Sequence, residues 1–336
     1  MTWAIVLASG FVVAETKKDD QELPPGSVID GRYIVERTIG RGSHGLIYRA
    51  ADGETGESLA VKVLVRETSD DPQFAVRLWR EAQALKALDS SHVVKMYRFG
   101  TDPAGLVYMA MELLDGETLE EYLSGLEAFG DRMNAYDVMR VLDPVADTLE
   151  LAHEKNILHR DLKPANIFII SAQVGGGVRL LDFGLAKLLR GARPLGETQT
   201  QASLTTAGMI AGSPNYIAPE MWKSEAPDQR IDVFSFGAVI FRALAGKAPF
   251  HGATIYQLFL QVCNAERPKL TPIRKDLNPE IDAWAARALA LRPNERYQTV
   301  RELWDEFVRI LLAGSTPNAR AAWDKYMFKK KQALSR

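Results

Sequence analysis

Two short runs of the chain carry residue types that could do chemistry. Residues 157–166 read Ile-Leu-His-Arg-Asp-Leu-Lys-Pro-Ala-Asn, and Asp182 follows an apolar, strand-like segment further on. Phosphoryl transfer needs a carboxylate that orients the attacking hydroxyl, oxygen ligands for Mg²⁺, and cations for the developing charge. Asp161 can supply that carboxylate, Asn166 and Asp182 the oxygen ligands, and Lys163 a cation. The two runs therefore indicate a site for phosphate transfer.

A glycine loop upstream is a second sign of phosphate binding. Residues 39–45 read Ile-Gly-Arg-Gly-Ser-His-Gly, a G-x-G-x-x-G run that is weak evidence by itself. A dinucleotide-binding loop opens a helix, whereas this loop lies between strand-like segments. We therefore predict a glycine-tipped hairpin followed by a third antiparallel strand over 59–65. Lys62 lies inside that apolar strand, where a phosphate contact is favoured over an edge lysine reaching for water.

Five motifs occur in the order typical of the eukaryotic-type (Hanks-type) protein serine/threonine kinase family, which this sequence resembles. They are the glycine loop, Leu-Ala-Val-Lys at 59–62, His-Arg-Asp at 159–161 with Asn166, Asp-Phe-Gly at 182–184, and Ala-Pro-Glu at 218–220. Asp-Gly-Arg-Tyr at 30–33 and Glu-Arg-Tyr-Gln at 295–298 resemble the bacterial branch of this family. The resemblance implies an α+β bilobal kinase domain over residues 30–312. The small lobe, about 30–113, would be an antiparallel sheet plus one helix, and the large lobe, about 114–312, mainly helical.

The resemblance also implies roles for individual residues and makes ATP and Mg²⁺ the expected cofactors. The implied catalytic residues are Asp161, Lys163, Lys62 and Glu81, and the implied metal ligands are Asn166 and Asp182. Lys62 would hold the α and β phosphates and pair with Glu81 on the helix that follows. The implied ATP contacts are Ile39, Gly40, Gly42, Gly45, Ile47, Ala60, Lys62, Met111, Glu112 and Leu114.

Other matches concern architecture. Glu220 and Arg296 resemble the buried ion pair of the large lobe in this family, and Asp232 resembles the helix acid that anchors the catalytic loop from behind. The family's stacked apolar spine would comprise Leu85, Met96, His159 and Phe183.

The same resemblance indicates which residue types are phosphorylated and how the activity is regulated. Lys163 and the Gly-Ser-Pro run at 212–214 favour serine and threonine acceptors over tyrosine. Arg160 would meet a phosphorylated activation loop, since a guanidinium suits a doubly charged phosphate. We predict Thr205 and Thr206 as autophosphorylation sites, the alternative being simply a hydroxyl-rich loop.

Composition limits the classes of function. The chain of 336 residues has 41 Lys plus Arg against 43 Asp plus Glu, a net charge of −2, which excludes binding to nucleic acid or membrane by bulk charge. The single cysteine, Cys263, forbids an intrachain disulfide, and the five histidines form no zinc-binding pattern.

The two ends differ from the body between them. Residues 1–29 are predicted to be an arm and linker, in which the apolar run 3–14 falls short of the roughly 20 residues that span a bilayer. We therefore expect a cytoplasmic protein. The tail, 313–336, is basic, with six Lys or Arg and one acid from Ser315 onward. It could contact an acidic partner or a lipid surface, or pack its aromatic residues on the domain.

Three functions fit this sequence to different degrees. An ATP-dependent kinase acting on Ser/Thr of protein substrates accounts for every motif. A non-catalytic nucleotide-binding pseudokinase scaffold would not need the intact Lys62, Asp161, Asn166 and Asp182. A kinase of small molecules would usually lack the glycine-loop pattern and the Ala-Pro-Glu run.

Overall fold

The computed structural model describes residues 22–42, 45–64, 88, 90–174, 176–183, 214–223 and 225–334. Within them the amino-terminal part is an antiparallel sheet with the strand order β1-β2-β3-β4-β6-β5. Its strands are β1 (Val28–Ile29), β2 (Tyr33–Gly42), β3 (Gly45–Asp52), β4 (Ser58–Leu64), β5 (Met96–Thr101) and β6 (Val107–Met111). The predicted glycine hairpin with its third antiparallel strand is confirmed as β2, β3 and β4.

The central strands of this sheet, β4 and β6, are buried on both faces. One face carries a core around Tyr33, Tyr48 and Tyr108, and the other carries Ala60, Met109 and Met111. Strands buried on both faces need an almost continuous apolar sequence, which explains the run 59–64. Lys62 is the exception in that run and is only 1% exposed.

Residues 22–26, which belong to the predicted arm and linker, are hydrogen-bonded to the sheet. Gly26 N–H donates to the carbonyl of Val35 at 2.8 Å, and Leu23 N–H donates to the hydroxyl of Tyr48 at 2.9 Å. Asp30 and Gly31 then turn the chain with positive φ angles, and the Tyr108 hydroxyl donates to the Asp30 carboxylate. Residues 30–32 thus form a turn that connects β1 to β2 and is hydrogen-bonded to the sheet.

The larger part of the molecule is helical. Its helices are α1 (Leu119–Ala128), α2 (Ala135–Glu154), α3 (Pro219–Trp222), α4 (Arg230–Ala245), α5 (Ile255–Asn264), α6 (Glu280–Ala288), α7 (Val300–Ala313) and α8 (Pro317–Leu334). Every residue of α4 from Ile231 to Ala245 is buried, so this helix forms the centre of the core. A second sheet, with the order β7-β8-β9, packs on α1 and α2. Its strands are β7 (Gly116–Thr118), β8 (Ile167–Ile170) and β9 (Val178–Leu180).

The basic tail forms α8 and packs on the helical part. Trp323 is 5% exposed, and the hydroxyl of Tyr326 donates to the carboxylate of Asp143 on α2 at 3.0 Å. Lys330 pairs with Asp143 and also with Asp147 one turn further along α2. Of the two alternatives for the tail, the packed helix is therefore observed. No helix among the described residues is long and apolar enough to cross a membrane.

Candidate active site

Lys62 points to the carboxylate of Asp182. Its Nζ lies 2.6 Å from both carboxylate oxygens, and the two residues are 120 positions apart in the chain. β4 positions Lys62 opposite Ile47 on β3 and Met109 on β6. The buried ammonium thus has an anionic partner, as its desolvation requires. Glu81, the partner implied by the resemblance, lies outside the described residues.

The loop between α2 and β8 holds a second group of polar residues. Lys163 Nζ donates to Oδ2 of Asp161 at 2.8 Å. The side-chain amide of Asn166 donates to the Asp161 carbonyl at 2.7 Å and to Oδ2 at 3.1 Å. These bonds fix the orientation of the Asp161 carboxylate and place a cation against it.

Asp232, at the start of α4, holds this loop from behind. Its carboxylate accepts the backbone N–H of His159 at 2.8 Å and of Arg160 at 2.9 Å, and it lies 2.8 Å from Nε2 of His153. Burial raises the pKa of Asp232, but the hydrogen bonds from His153 and Arg160 and the nearby histidines together outweigh burial, so the pKa is lowered. Arg160 has φ +65°, a strained value for a non-glycine residue, which these bonds stabilise. The predicted anchoring role of Asp232 is confirmed.

Asn166 and Asp182 are brought together by the second sheet. Ile167 pairs with Leu180 across β8 and β9, and Leu181 N–H donates to the carbonyl of Asn166 at 2.9 Å. Asn166 therefore directly precedes β8, and Asp182 follows the end of β9 by two residues. An amide oxygen and a carboxylate are the hard donors that Mg²⁺ prefers, so these residues fit a divalent cation.

His159 and Phe183 pack ring against ring. Their centroids are 4.5 Å apart, and the imidazole is fully buried. Neither ring nitrogen of His159 has a hydrogen-bond partner among the described residues, and burial lowers its pKa. The side chain therefore acts as a neutral apolar group between the catalytic loop and the Asp-Phe-Gly segment. Leu85, another expected member of this spine, lies outside the described residues.

The residues expected to contact ATP lie on β2, β3, β4 and β6 and in the segment after β6. Ala60 pairs with Met111, and Gly40 pairs with Ile47. Glu112 donates its backbone N–H to the carbonyl of Lys95 at 2.9 Å. That N–H is therefore engaged, and the carbonyl is the backbone group Glu112 can offer to a base. The remaining expected contacts are also described. Ile39 and Gly42 lie on β2, Gly45 is the first residue of β3, and Leu114 follows β6.

A link between the two sheets was not foreseen from the sequence. Val94 N–H donates to the carbonyl of Leu180 at 3.0 Å, and Leu180 N–H donates to the carbonyl of His92 at 2.7 Å. The segment that leads into β5 thereby pairs with β9, the strand that ends just before Asp182. The two hydrogen bonds join backbone groups, and no side-chain pattern signals such bonds.

The predicted ion pair of the helical part is confirmed. Arg296 contacts both carboxylate oxygens of Glu220 at 2.7 Å, and both side chains are almost fully buried. Arg296 also donates to the carbonyls of Arg230, Ala290 and Leu291. The pair fastens α3, which begins within the Ala-Pro-Glu run, to the segment before α7.

Comparison with known proteins agrees with this geometry. The protein kinase domain matches residues 33–308 of the chain. This chain belongs to the protein kinase family. The resemblance to the bacterial serine/threonine branch is confirmed by its relatives. PknB of Mycolicibacterium smegmatis, a serine/threonine-protein kinase, is 32% identical over 87% of this chain and 44% of its own length.

A second relative and a solved structure extend the comparison. The serine/threonine-protein kinase PknL of Mycobacterium tuberculosis is 32% identical over 81% of this chain and 63% of its own length. The PknI kinase domain of the same organism superposes with a TM-score of 0.66 and 26% identity, covering 86% of this chain and 99% of that domain. The chain thus has the bilobal α+β kinase fold, and it spans less than two thirds of either curated relative.

Proposed function

We propose that this protein transfers the γ-phosphoryl group of ATP to serine and threonine hydroxyls of proteins. The observation that carries the proposal is the assembly of Asp161, Lys163 and Asn166 in one hydrogen-bonded group. The paired strands β8 and β9 connect Asp182 to this group, and Lys62 on β4 binds the Asp182 carboxylate. A scaffold without catalysis has no need of this arrangement, so the pseudokinase alternative is not favoured.

Each residue has a distinct part in the proposed reaction. The carboxylate of Asp161 orients the acceptor hydroxyl and takes its proton. Lys62 and Lys163 place positive charge beside the phosphates as negative charge shifts toward the leaving oxygen. The Asn166 amide oxygen and the Asp182 carboxylate would hold Mg²⁺, which neutralises phosphate charge when it is bound with ATP.

We propose that a protein acceptor lies against the residues next to Asp161. A small cleft next to this carboxylate is lined by Tyr216, Ala218 and Met221. Ser235 donates to the carbonyl of Tyr216 at 2.8 Å and so fixes that wall to α4. Tyr216 and Ala218 of this wall lie between Asp182 and Glu220, in the stretch of chain that also contains Thr205 and Thr206.

We further propose that phosphorylation of Thr205 and Thr206 activates the protein. Both threonines lie outside the described residues. The support is Arg160, whose Nε is buried and has no hydrogen-bond partner among the described residues. A phosphate would give the Nε–H group of Arg160 an acceptor.

The test compares wild type with Asp161→Asn, using labelled ATP, Mg²⁺ and a generic basic protein. Asp305→Asn is the matched control, because Asp305 is an exposed acid on α7. Transfer should fall at least about 100-fold in Asp161→Asn and stay unchanged in the control. Acid hydrolysis should yield phosphoserine and phosphothreonine, and mass spectrometry should find phosphate on Thr205 or Thr206. Equal transfer by wild type and Asp161→Asn would refute the proposal.

A further inference from the structure

Residues 22–29, here called the strap, run along the outer edge of β2. Val28 pairs with Ile34, and Val35 N–H donates to the carbonyl of Ser27 at 2.8 Å. This pairing covers the edge of the sheet, which would otherwise invite pairing with another chain. Edge protection accounts for the contacts of Ser27 and Val28.

Edge protection does not account for the first two residues of the strap. Leu23 N–H donates at 2.9 Å to the hydroxyl of Tyr48, a side chain with no exposed surface. The Leu23 side chain packs on the core that contains Tyr33 and Tyr48. Tyr48 lies on β3 next to Ile47, which pairs with Gly40 of the glycine loop. The strap thus reaches the hairpin that is expected to cover ATP.

Glu22 contacts the hairpin on either side of an irregularity in β2. The pairing of β2 with β3 shifts register between Thr38 and Gly40. Thr38 Oγ1 donates to Oε1 of Glu22, and Arg41 Nη2 lies 3.9 Å from Oε2. A bulge is a place where a strand bends. One carboxylate therefore joins the residue before the bend to a residue after it.

We propose that the strap is a positioning element for nucleotide binding, in which Glu22 and Leu23 hold the glycine hairpin against bending at its bulge. The proposal rests on the function proposed above. A hairpin already held in place loses less conformational freedom when ATP binds, so affinity for the nucleotide is higher. Glu22 and Leu23 act through Thr38 and Tyr48 and do not contact the reacting atoms.

Three variants and a control separate this role from general stability. Glu22→Ala removes the acceptor for Thr38, whereas Glu22→Gln keeps an oxygen that can accept the same hydrogen bond. Tyr48→Phe removes the hydroxyl that Leu23 contacts. Glu36→Ala is the control, because Glu36 is another exposed acid of β2 and pairs across the hairpin with Arg49 at 2.6 Å.

Two measurements follow on the full chain. The first is the affinity for a fluorescent ATP analogue with Mg²⁺, alongside the KM for ATP and kcat. The second is amide hydrogen exchange of β2 and β3 without nucleotide. Glu22→Ala and Tyr48→Phe should raise the Kd and KM about two- to fivefold, the loss expected of one hydrogen bond, with kcat unchanged. Exchange should increase in residues 38–48, and Glu22→Gln should behave like wild type, since exposed ion pairs contribute little.

An unchanged Kd with unchanged exchange in Glu22→Ala would overturn the proposal. So would an equal change in Glu36→Ala, or a fall in kcat without any change in KM. If wild type binds the nucleotide but transfers no phosphate, the proposed kinase function fails. The affinity and exchange comparisons would still decide the role of the strap.

Discussion

Replacing Asp232 by Asn should damage both stability and catalysis, although Asp232 contacts no substrate. Oδ1 accepts the Arg160 N–H at 2.9 Å, while Oδ2 accepts the His159 N–H and lies 2.8 Å from His153 Nε2. An asparagine that keeps its oxygen in the second position turns an NH₂ group toward the Arg160 N–H. Two donors then face each other in a site with no access to water.

The size of the effect follows from these bonds. A hydrogen bond to a charged group contributes about 1.5–3 kcal/mol, and the two remaining bonds weaken when the charge is lost. We expect Asp232→Asn to lower the free energy of unfolding by about 3 kcal/mol. Released from its partner, Arg160 can leave its strained φ and shift Asp161, and a displacement of about 1 Å costs about 100-fold in kcat.

Urea unfolding and steady-state kinetics would measure both effects. Asp228→Asn is the matched control, since Asp228 lies just before the same helix and its side chain is 50% exposed. It should lose no more than about 1 kcal/mol and keep its kcat. Should Asp232→Asn retain wild-type stability and kcat, the argument that this carboxylate holds the catalytic loop is refuted.

Three further predictions follow from buried groups. Glu220→Gln should destabilise the protein by about 3–5 kcal/mol, because it leaves the Arg296 guanidinium buried without a counter-charge. Thermal or urea unfolding measures this loss, and unchanged stability would contradict the prediction. His159 has a lowered pKa, so the unfolded chain binds more protons below about pH 6.5 and stability should fall as the pH drops through that value. His159→Phe should flatten this dependence in urea titrations between pH 5 and 7, and an unaltered slope would contradict the assignment. Asp143→Asn should loosen α8 by weakening the contacts of Asp143 with Lys330 and Tyr326, giving faster proteolysis near residue 315 with activity retained. Equal cleavage rates would count against that contact.

Several features of this protein could be predicted from the sequence by itself. The glycine-tipped hairpin follows from strand-like segments on both sides of residues 39–45, and α2 follows from apolar residues at helical spacing over 138–152. The polar residues of the site belong to short runs whose types are demanded by phosphate chemistry. These features are local, because they depend on neighbours in the chain and on what single side chains can do.

The tertiary structure decided which distant groups meet. Lys62 and Asp182 are 120 positions apart, and their contact depends on how β4 and β9 are placed, which no local pattern specifies. Glu22 and Leu23 read as a linker because their contacts with Thr38 and Tyr48 form only once the hairpin exists. The hydrogen bond between Val94 and Leu180 joins two backbone groups. Local secondary-structure preference and side-chain chemistry can be predicted from neighbouring residues, whereas long-range pairing depends on the packing of all elements together.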